Sequence, residues 1–180
     1  MVVSYRSNIL ISIYQVFILF VFCLIYFLLP PFFFSLVPDF RGDKECVERV
    51  ATSGLDVFAH NIETVEELQR SVRDYRANFK QSIDVLRMAK AMAAPGTLTK
   101  TSIMLGCGET PAQIIRTMEL VRDAGVDVMT FGQYMRPTKK HMPVSEYVTP
   151  EAFEEYRKLG MDMVLFFGFG SLNFLFCLNV

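Results

Sequence analysis

The sequence lacks clustered cysteines. Its four cysteines form no C-x-x-C motif and are spread along the chain, at Cys23, Cys46, Cys107 and Cys177. Zinc and iron–sulfur sites are generally built from closely spaced cysteines, so a metal site formed wholly by this chain is not expected. Disulfide frameworks are typical of small, cysteine-dense secreted chains, so none is expected either. The cysteines are interpreted as buried or incidental thiols.

The sequence also lacks a surplus of either charge. It has 18 lysines and arginines against 19 aspartates and glutamates, which gives a formal net charge of -1. Proteins that bind nucleic acid or anionic membranes usually carry a basic excess, so the composition favours neither partner, and no nucleic acid is expected. A length of 180 residues suits one ordinary domain with its own core.

Charged residues are absent from 9–29, a stretch rich in Phe, Ile, Leu and Val that is long enough to cross a bilayer as a helix. A signal peptide is the rival interpretation, but no small-residue cleavage pattern follows the stretch. A third interpretation is translated non-coding sequence outside the folded protein. A second uncharged, Phe-rich stretch occupies 164–180. The predicted organisation is therefore a hydrophobic segment at 1–35, a folded region at 36–163 and an apolar tail at 164–180.

The middle of the chain alternates strand and helix patterns in the order β-α-β-α-α-β-α-β-loop-α. This alternation predicts an α/β fold with a parallel sheet and right-handed crossovers. The predicted strands are too few for a closed barrel and suit half a barrel or a small open sheet. The first predicted strand ends at 36–37, and the others occupy 55–59, 101–105 and 126–131. The first predicted helix starts at 43, and the others occupy 64–70, 78–93, 111–124 and 150–163.

A glycine turn joins a strand to a helix near the centre of the chain. The apolar stretch 101–105 predicts a buried strand, Gly106 and Gly108 allow a tight turn, and Thr110 with Pro111 is a helix start. In parallel α/β sheets such a turn lies at the carboxyl edge of the sheet, where ligands bind. The alternative is an ordinary turn, because every βα unit needs one.

Polar residues follow three of the predicted strands. Asn61 and Glu63 follow one, Glu109 lies behind the glycines, and Gln133 with Met135 and Arg136 follows another. Together they suit a ligand with a ribose, a carboxylate and an aromatic base better than a metal. Arg76 is the arginine expected to bind the carboxylate of such a ligand.

Several of these polar residues also have an ordinary structural interpretation. Asn61 and Glu63 could cap the following helix, and His60 could be a structural histidine. The basic loop of Arg136, Lys139, Lys140 and His141 is interpreted first as a solvated surface and alternatively as a docking patch for an acidic protein.

Five sequence segments in the middle of the chain occur in a characteristic order. They are Val-Pro-Asp-Phe-Arg-Gly-Asp at 37–43, Gly-Leu-Asp-Val-Phe-Ala-His-Asn-Ile-Glu-Thr at 54–64, Arg-Asp-Tyr-Arg-Ala-Asn-Phe at 73–79, Lys-Thr-Ser-Ile-Met-Leu-Gly-Cys-Gly-Glu at 100–109 and Thr-Phe-Gly-Gln-Tyr-Met-Arg-Pro-Thr at 130–138. With these segments the chain resembles lipoyl synthases, most closely the plastid-type enzymes, from Leu36 to about Met163. The segment 102–109 is similar to the strand motif that radical S-adenosylmethionine enzymes use beside the adenine.

The resemblance implies a partial (βα) barrel, here roughly its C-terminal half, that binds S-adenosylmethionine at its carboxyl edge. In that family a 4Fe–4S cluster cleaves the cofactor to a 5′-deoxyadenosyl radical, which abstracts hydrogen from a protein-bound octanoyl group. A second 4Fe–4S cluster supplies two sulfur atoms, giving the lipoyl group. By resemblance, the ribose and carboxylate of the cofactor contact Asn61, Glu63 and Arg76, and its adenine contacts Met104, Gly106, Gln133 and Met135.

The resemblance also implies a partner and a compartment. The partner is the octanoylated lipoyl-carrier domain, an acidic protein that would dock at Arg136, Lys139 and Lys140. The compartment is the plastid, with the mitochondrion as the alternative, or a membrane if 9–29 is a genuine segment.

The sequence departs from the family pattern at both ends. The C-x-x-x-C-x-x-C loop of the radical-generating cluster, the cysteines of the auxiliary cluster and the Arg-Ser-Ser-Tyr segment are all absent. Neither cluster therefore has its ligands here, no catalytic or metal-binding residue is assigned, and the chain is expected to be a truncated form that is inactive alone. The competing hypothesis is a membrane-anchored, catalytically dead module that binds S-adenosylmethionine or a lipoyl-carrier domain.

Overall fold

The computed structural model describes residues 32–164. The hydrophobic stretch 9–29 and residues 165–180 lie outside the described residues, so the membrane interpretation and the division at 35 and 163 stay predictions. Between residues 32 and 164, no helix is long and apolar enough to cross a membrane.

The described chain alternates strands and helices in the predicted order. The helices are α1 (Lys44–Ala51), α2 (Gln69–Val72), α3 (Phe79–Met92), α4 (Pro111–Asp123) and α5 (Pro150–Val164), with short 3-10 turns at Phe40–Gly42 and Glu66–Leu68. The strands are β1 (Phe34–Leu36), β2 (Val57–Ala59), β3 (Leu98–Leu105) and β4 (Val128–Gln133).

The strands form one parallel sheet in the order β1-β2-β3-β4. Each strand pairs with the next along the chain, and within the described residues β1 and β4 are the edges, so the sheet is not closed. This arrangement confirms the predicted α/β fold and is consistent with part of a barrel.

The two faces of the sheet differ in burial. Along β3 the residues alternate, with Thr99, Thr101, Ile103 and Leu105 buried and their neighbours only partly buried. One apolar cluster joins Ile103 and Leu105 to α3 and α4, and a second packs Phe58 of β2 against α1 and α3. The helices therefore cover one face, and the face that carries Lys100 and Ser102 is the more open one.

Capping residues explain where three of the helices begin. The carboxylate of Asp43 accepts a hydrogen bond from the Cys46 N–H (3.0 Å), and the Asn78 side chain accepts one from the Gln81 N–H (2.9 Å). Thr110 forms a reciprocal capping box with Gln113 at the start of α4, and Pro111 is the first helical residue. The helix starts predicted near 43, 78 and 111 are confirmed.

Three strands differ in extent from the prediction. β2 is limited to Val57–Ala59 within the predicted 55–59. β3 begins at Leu98 rather than 101, because the Leu98 N–H pairs with the Asp56 carbonyl (2.8 Å) and extends the ladder. β4 runs from Val128 to Gln133 rather than from 126 to 131, and it extends to Gln133 because Gly132 and Gln133 stay in register with Met104 and Leu105. Gln133, which was expected to follow this strand, is therefore its last residue.

Candidate functional site

An open pocket lies at the carboxyl ends of β1 and β2. Its volume is about 420 Å³, and its polar lining consists of Asp39, His60, Asn61, Glu63 and Arg73. Ligand pockets in proteins commonly measure several hundred Å³ and place a few polar groups in an otherwise apolar wall. This edge of the sheet is where the sequence placed the first pair of candidate residues.

Asn61 and Glu63 are brought together at this edge. The Asn61 Oδ1 atom is buried and has no hydrogen-bond partner among the described residues. Glu63 adopts a left-handed backbone conformation (φ 65°), and its N–H and C=O pair with the Ser102 carbonyl (3.1 Å) and the Met104 N–H (2.8 Å). The helix-capping alternative is not observed, since the N-cap of the next 3-10 turn is Val65 and no side chain caps it.

His60 is held from both ring nitrogens. Its Nδ1 lies 2.9 Å from the Val37 carbonyl and its Nε2 lies 3.0 Å from Ser82 Oγ. A carbonyl only accepts, so Nδ1 carries the proton and the Ser82 hydroxyl donates to Nε2. Burial lowers the pKa of His60, and the charge of Arg73 lowers it further. The imidazole is therefore neutral, which agrees with its interpretation as a structural histidine.

Arg73 is a lining residue that the sequence did not single out. Its Nη1 donates to Ser82 Oγ (2.9 Å) and to Gln69 Oε1 (3.1 Å). Gln69 is itself fixed, because its Nε2 donates to the carbonyls of Ile62 (2.9 Å) and Thr64 (2.8 Å). Burial lowers the pKa of Arg73, but a guanidinium remains charged. Arg73 lies three residues before Arg76 in the sequence, and spacing alone does not distinguish the two arginines.

Arg76 lies outside the lining of the pocket. Its side chain is 67% exposed and forms a bidentate pair with Asp74, with Nε–Oδ1 at 2.8 Å and Nη2–Oδ2 at 2.9 Å. Hydrogen bonds from Arg76 lower the pKa of Asp74 to about 2, so this pair is ionised at neutral pH. The structure does not bring Arg76 together with Asn61 and Glu63. Its contact with a ligand stays a prediction.

The glycine turn after β3 is closed by its own glutamate. Glu109 accepts hydrogen bonds from the N–H groups of Gly106 (2.6 Å) and Cys107 (2.9 Å). Gly106 and Gly108 both have positive φ, at 94° and 110°, as the sequence pattern implied. Burial raises the pKa of the Cys107 thiol to about 11, so this cysteine is a protonated, unreactive thiol at neutral pH.

The adenine-side candidates lie at the ends of β3 and β4. Met104 is partly buried beside Gly132, and Met135 is 62% exposed. The Gln133 Nε2 donates to the carbonyls of Tyr134 (3.1 Å) and Glu146 (3.0 Å), and its Oε1 accepts from the Val148 N–H (2.9 Å). Gln133 therefore ties the segment around 146 over the glycine turn. The roles of these residues in binding stay predictions.

The residues from 32 to 164 do not fit a metal cluster. No group of three or more His, Cys, Asp and Glu side chains in this range could hold a metal ion. Cys46 is exposed on α1, whereas Cys107 is buried in the glycine turn. Iron–sulfur clusters need thiolate ligands gathered at one point, which these two cysteines do not provide.

A comparison with protein families identifies this architecture. The model of the radical SAM superfamily matches residues 31–121, about half of the chain. The chain belongs to the radical SAM superfamily. The matched residues run from β1 through most of α4, so they include the pocket and the glycine turn.

Within this superfamily, the chain is very similar to plant proteins named "Lipoyl synthase, mitochondrial". It is 83% identical to those of Sorghum bicolor and Zea mays and 79% identical to that of Populus trichocarpa, each over 129 residues or 72% of the chain. The chain spans about a third of the length of these curated relatives, 33% of the first and 34% of the other two. Because these relatives are named mitochondrial, they do not support the plastid type expected from the sequence.

Proposed function

We propose that this chain is part of a lipoyl synthase, which inserts two sulfur atoms into a protein-bound octanoyl group. The observation that carries this proposal is the 79–83% identity to lipoyl synthases over 129 residues, 72% of the chain. We place the protein in the mitochondrion, following the names of the same relatives. The segments that would hold the iron–sulfur clusters are not among residues 32–164, so the activity is proposed for the complete enzyme.

We propose that S-adenosylmethionine binds in the pocket at the ends of β1 and β2. The unpartnered Oδ1 of buried Asn61 fits a ligand that donates a hydrogen bond. The carboxylate of Glu63 lines the same pocket and suits ribose hydroxyls. When bound, the cofactor supplies the radical that starts reactions of this superfamily, and the residues of this chain bind and orient it.

We propose that the adenine lies toward the ends of β3 and β4, near Met104, Gly106, Gln133 and Met135. Glu63 supports this placement, because its backbone pairs directly with β3 through Met104 and its side chain lines the pocket. A ligand that contacts Glu63 is therefore next to the carboxyl end of β3.

Replacing Glu63 by glutamine tests this cofactor site. Glu63→Gln keeps the size of the side chain but removes the charge that strengthens hydrogen bonds to ribose hydroxyls, so we expect about tenfold weaker binding of S-adenosylmethionine. Titration calorimetry with the 180-residue chain measures the dissociation constant. Glu67→Gln is the matched control, because Glu67 lies on the nearby 3-10 turn, pairs with Arg116 and does not line the pocket. Equal losses in both variants, or no binding by the unmodified chain, would contradict the proposal.

We propose that the acidic lipoyl-carrier domain docks on the loop that follows β4. The Arg136 Nε donates to the His141 carbonyl (2.8 Å), and its Nη2 donates to the Lys139 carbonyl. Thr138 also bonds the His141 ring. Arg136 thus shapes the loop from within, whereas Lys139 and Lys140 are exposed and present their charges to solvent. This arrangement supports a docking role for the two lysines and a structural role for the arginine.

Reversing both lysine charges tests the docking surface. For Lys139→Glu/Lys140→Glu we expect on the order of tenfold weaker binding of an octanoylated carrier domain at low salt, with the difference shrinking as salt is added. Surface plasmon resonance at two salt concentrations measures the association rate and affinity. The control Lys44→Glu/Lys80→Glu changes the net charge equally at exposed sites on α1 and α3. A loss of the same size in the control would mean that overall charge, not this loop, attracts the carrier.

A further inference from the structure

Residues 134–148 leave the carboxyl end of β4 and return to it, and we call them the closed loop. Gln133, the last residue of β4, joins the two ends of this loop. Its Nε2 donates to the Glu146 carbonyl (3.0 Å), and its Oε1 accepts from the Val148 N–H (2.9 Å). Surface loops of this length whose ends lie close together are frequently functional.

Hydrogen bonds across the closed loop fix its shape. The hydroxyl of Tyr134, which is itself buried, donates to the Met142 carbonyl (2.9 Å), and Arg136 bonds two carbonyls within the loop. The Ser145 N–H donates to the Gly106 carbonyl (2.9 Å), which fastens the returning chain to the glycine turn. The exposed side chains of the loop are therefore preorganised, and a partner would pay little to order them.

Tyr147 is an exposed aromatic residue at the most firmly held point of this loop. It lies between Glu146 and Val148, whose backbone groups bond the same Gln133 amide. Its side chain is 68% exposed, and its hydroxyl has no hydrogen-bond partner among residues 32–164. An exposed ring of this kind contributes little to the fold. Tyrosine is typical of binding hot spots, because it supplies a large contact area at a low cost in conformational entropy.

The closed loop is basic although the chain as a whole is not. It carries Arg136, Lys139 and Lys140 against a single acid, Glu146, whereas the formal net charge of the chain is -1. Both lysines are exposed. Protein interfaces commonly combine an aromatic anchor with a charged rim, and the positive rim here is complementary to an acidic protein.

We propose that Tyr147 is the apolar anchor through which the closed loop holds the acidic lipoyl-carrier domain. This inference rests on the docking role proposed above for Lys139 and Lys140, and it divides the work between the residues. The lysines attract the carrier and set the association rate, whereas the Tyr147 ring is buried against the surface of the carrier and sets the dissociation rate.

Tyr147→Ala is expected to raise the dissociation rate of an octanoylated carrier domain by about tenfold, because loss of a buried aromatic anchor shortens the lifetime of a complex. The association rate is expected to stay within about twofold, and the effect to be the same at low and high salt, since no charge is removed. Surface plasmon resonance with the 180-residue chain measures both rates. Tyr147→Phe keeps the ring and is expected to keep most of the lifetime of the complex.

Tyr75→Ala is the matched control, because Tyr75 is 87% exposed and lies outside the closed loop. It is expected to leave both rates unchanged. Urea unfolding checks the fold of Tyr147→Ala, which we expect to match the unmodified chain. The hydrogen bonds of Gln133 go to backbone groups of Glu146 and Val148, and alanine at 147 leaves these in place.

The outcomes distinguish this inference from the proposal beneath it. Failure of the unmodified chain to bind the carrier domain overturns the docking proposal itself. A dissociation rate that Tyr147→Ala leaves unchanged, or that Tyr75→Ala raises equally, overturns the anchor role of Tyr147 and leaves the lysine surface standing. Weaker binding of S-adenosylmethionine by Tyr147→Ala, with the dissociation of the carrier unchanged, would assign the tyrosine to the cofactor site and also overturn the anchor role.

Discussion

Gly106→Ala is expected to lower the free energy of unfolding by about 3 kcal/mol or more, a large fraction of the stability of a domain. An added Cβ would lie 2.3 Å from the Glu146 carbonyl oxygen and 2.4 Å from Gln133 Nε2. The carbonyl belongs to the backbone segment that Gln133 ties down, so it cannot move away without breaking hydrogen bonds. The backbone of Gly106 is also left-handed, with φ at 94°. Urea unfolding of the 180-residue chain measures the effect.

Gly96 provides the control for this substitution. Its φ is 96°, nearly the same as that of Gly106, but nothing lies within 4 Å of an added Cβ. Gly96→Ala therefore incurs only the conformational penalty of a left-handed alanine, about 1 kcal/mol. If both variants lose the same stability, the close approach over Gly106 does not exist in solution.

Asp127→Ala is expected to cost about 2 to 4 kcal/mol. The Asp127 carboxylate accepts hydrogen bonds from the Thr99 N–H (2.7 Å), the Thr99 hydroxyl (2.9 Å) and Lys90 Nζ (2.7 Å). Thr99 is fully buried, so its N–H would lose its partner where replacement water is hard to place. The substitution also removes the ion pair between Lys90 of α3 and Asp127, the residue that precedes β4. Chemical unfolding monitored by circular dichroism measures the loss.

Asp84 is the matched control, because it forms two ion pairs, with Lys80 (2.6 Å) and Arg87 (2.8 Å), on the surface of α3. Such exposed pairs are worth little, and alanine is the better helix former, so Asp84→Ala is expected to change stability by less than about 1 kcal/mol. A larger loss at Asp84 than at Asp127 would show that charge pairing, rather than the buried backbone partner, determines the cost.

The order of strands and helices could be predicted because it depends on local chemistry. Asp43, Asn78 and Thr110 each bond to a backbone N–H three residues ahead, so the helix starts are written into short stretches of sequence. The parallel sheet follows from the alternation alone. The ends of β3 and β4 were less predictable, since strand length is decided by partners distant in the sequence, such as Asp56 for Leu98.

The candidate site was predictable only in part, for the same reason. Asn61 and Glu63 directly follow a strand, so their place at the sheet edge could be inferred from position. Arg73 is held in the pocket by hydrogen bonds to Ser82 and Gln69, and Ser82 is hydrogen-bonded to His60, which lies 22 residues away in the sequence. No periodicity encodes such a contact. Gln133 and Glu109 were placed at the correct edge, but their hydrogen bonds to nearby backbone could be seen only in the structure.

The left-handed backbone of Glu63 has a consequence for attempts to engineer a more stable form of this protein. Positive φ is rare for residues other than glycine and asparagine, and a glutamate there carries a conformational cost of about 1 kcal/mol or more. A stability-guided choice would therefore replace Glu63 by glycine or asparagine and, in doing so, remove the carboxylate from the pocket. At this position the residue that best stabilises the fold differs from the residue that suits the ligand. Selection of a library for stability alone would therefore remove Glu63, which we propose contacts the cofactor.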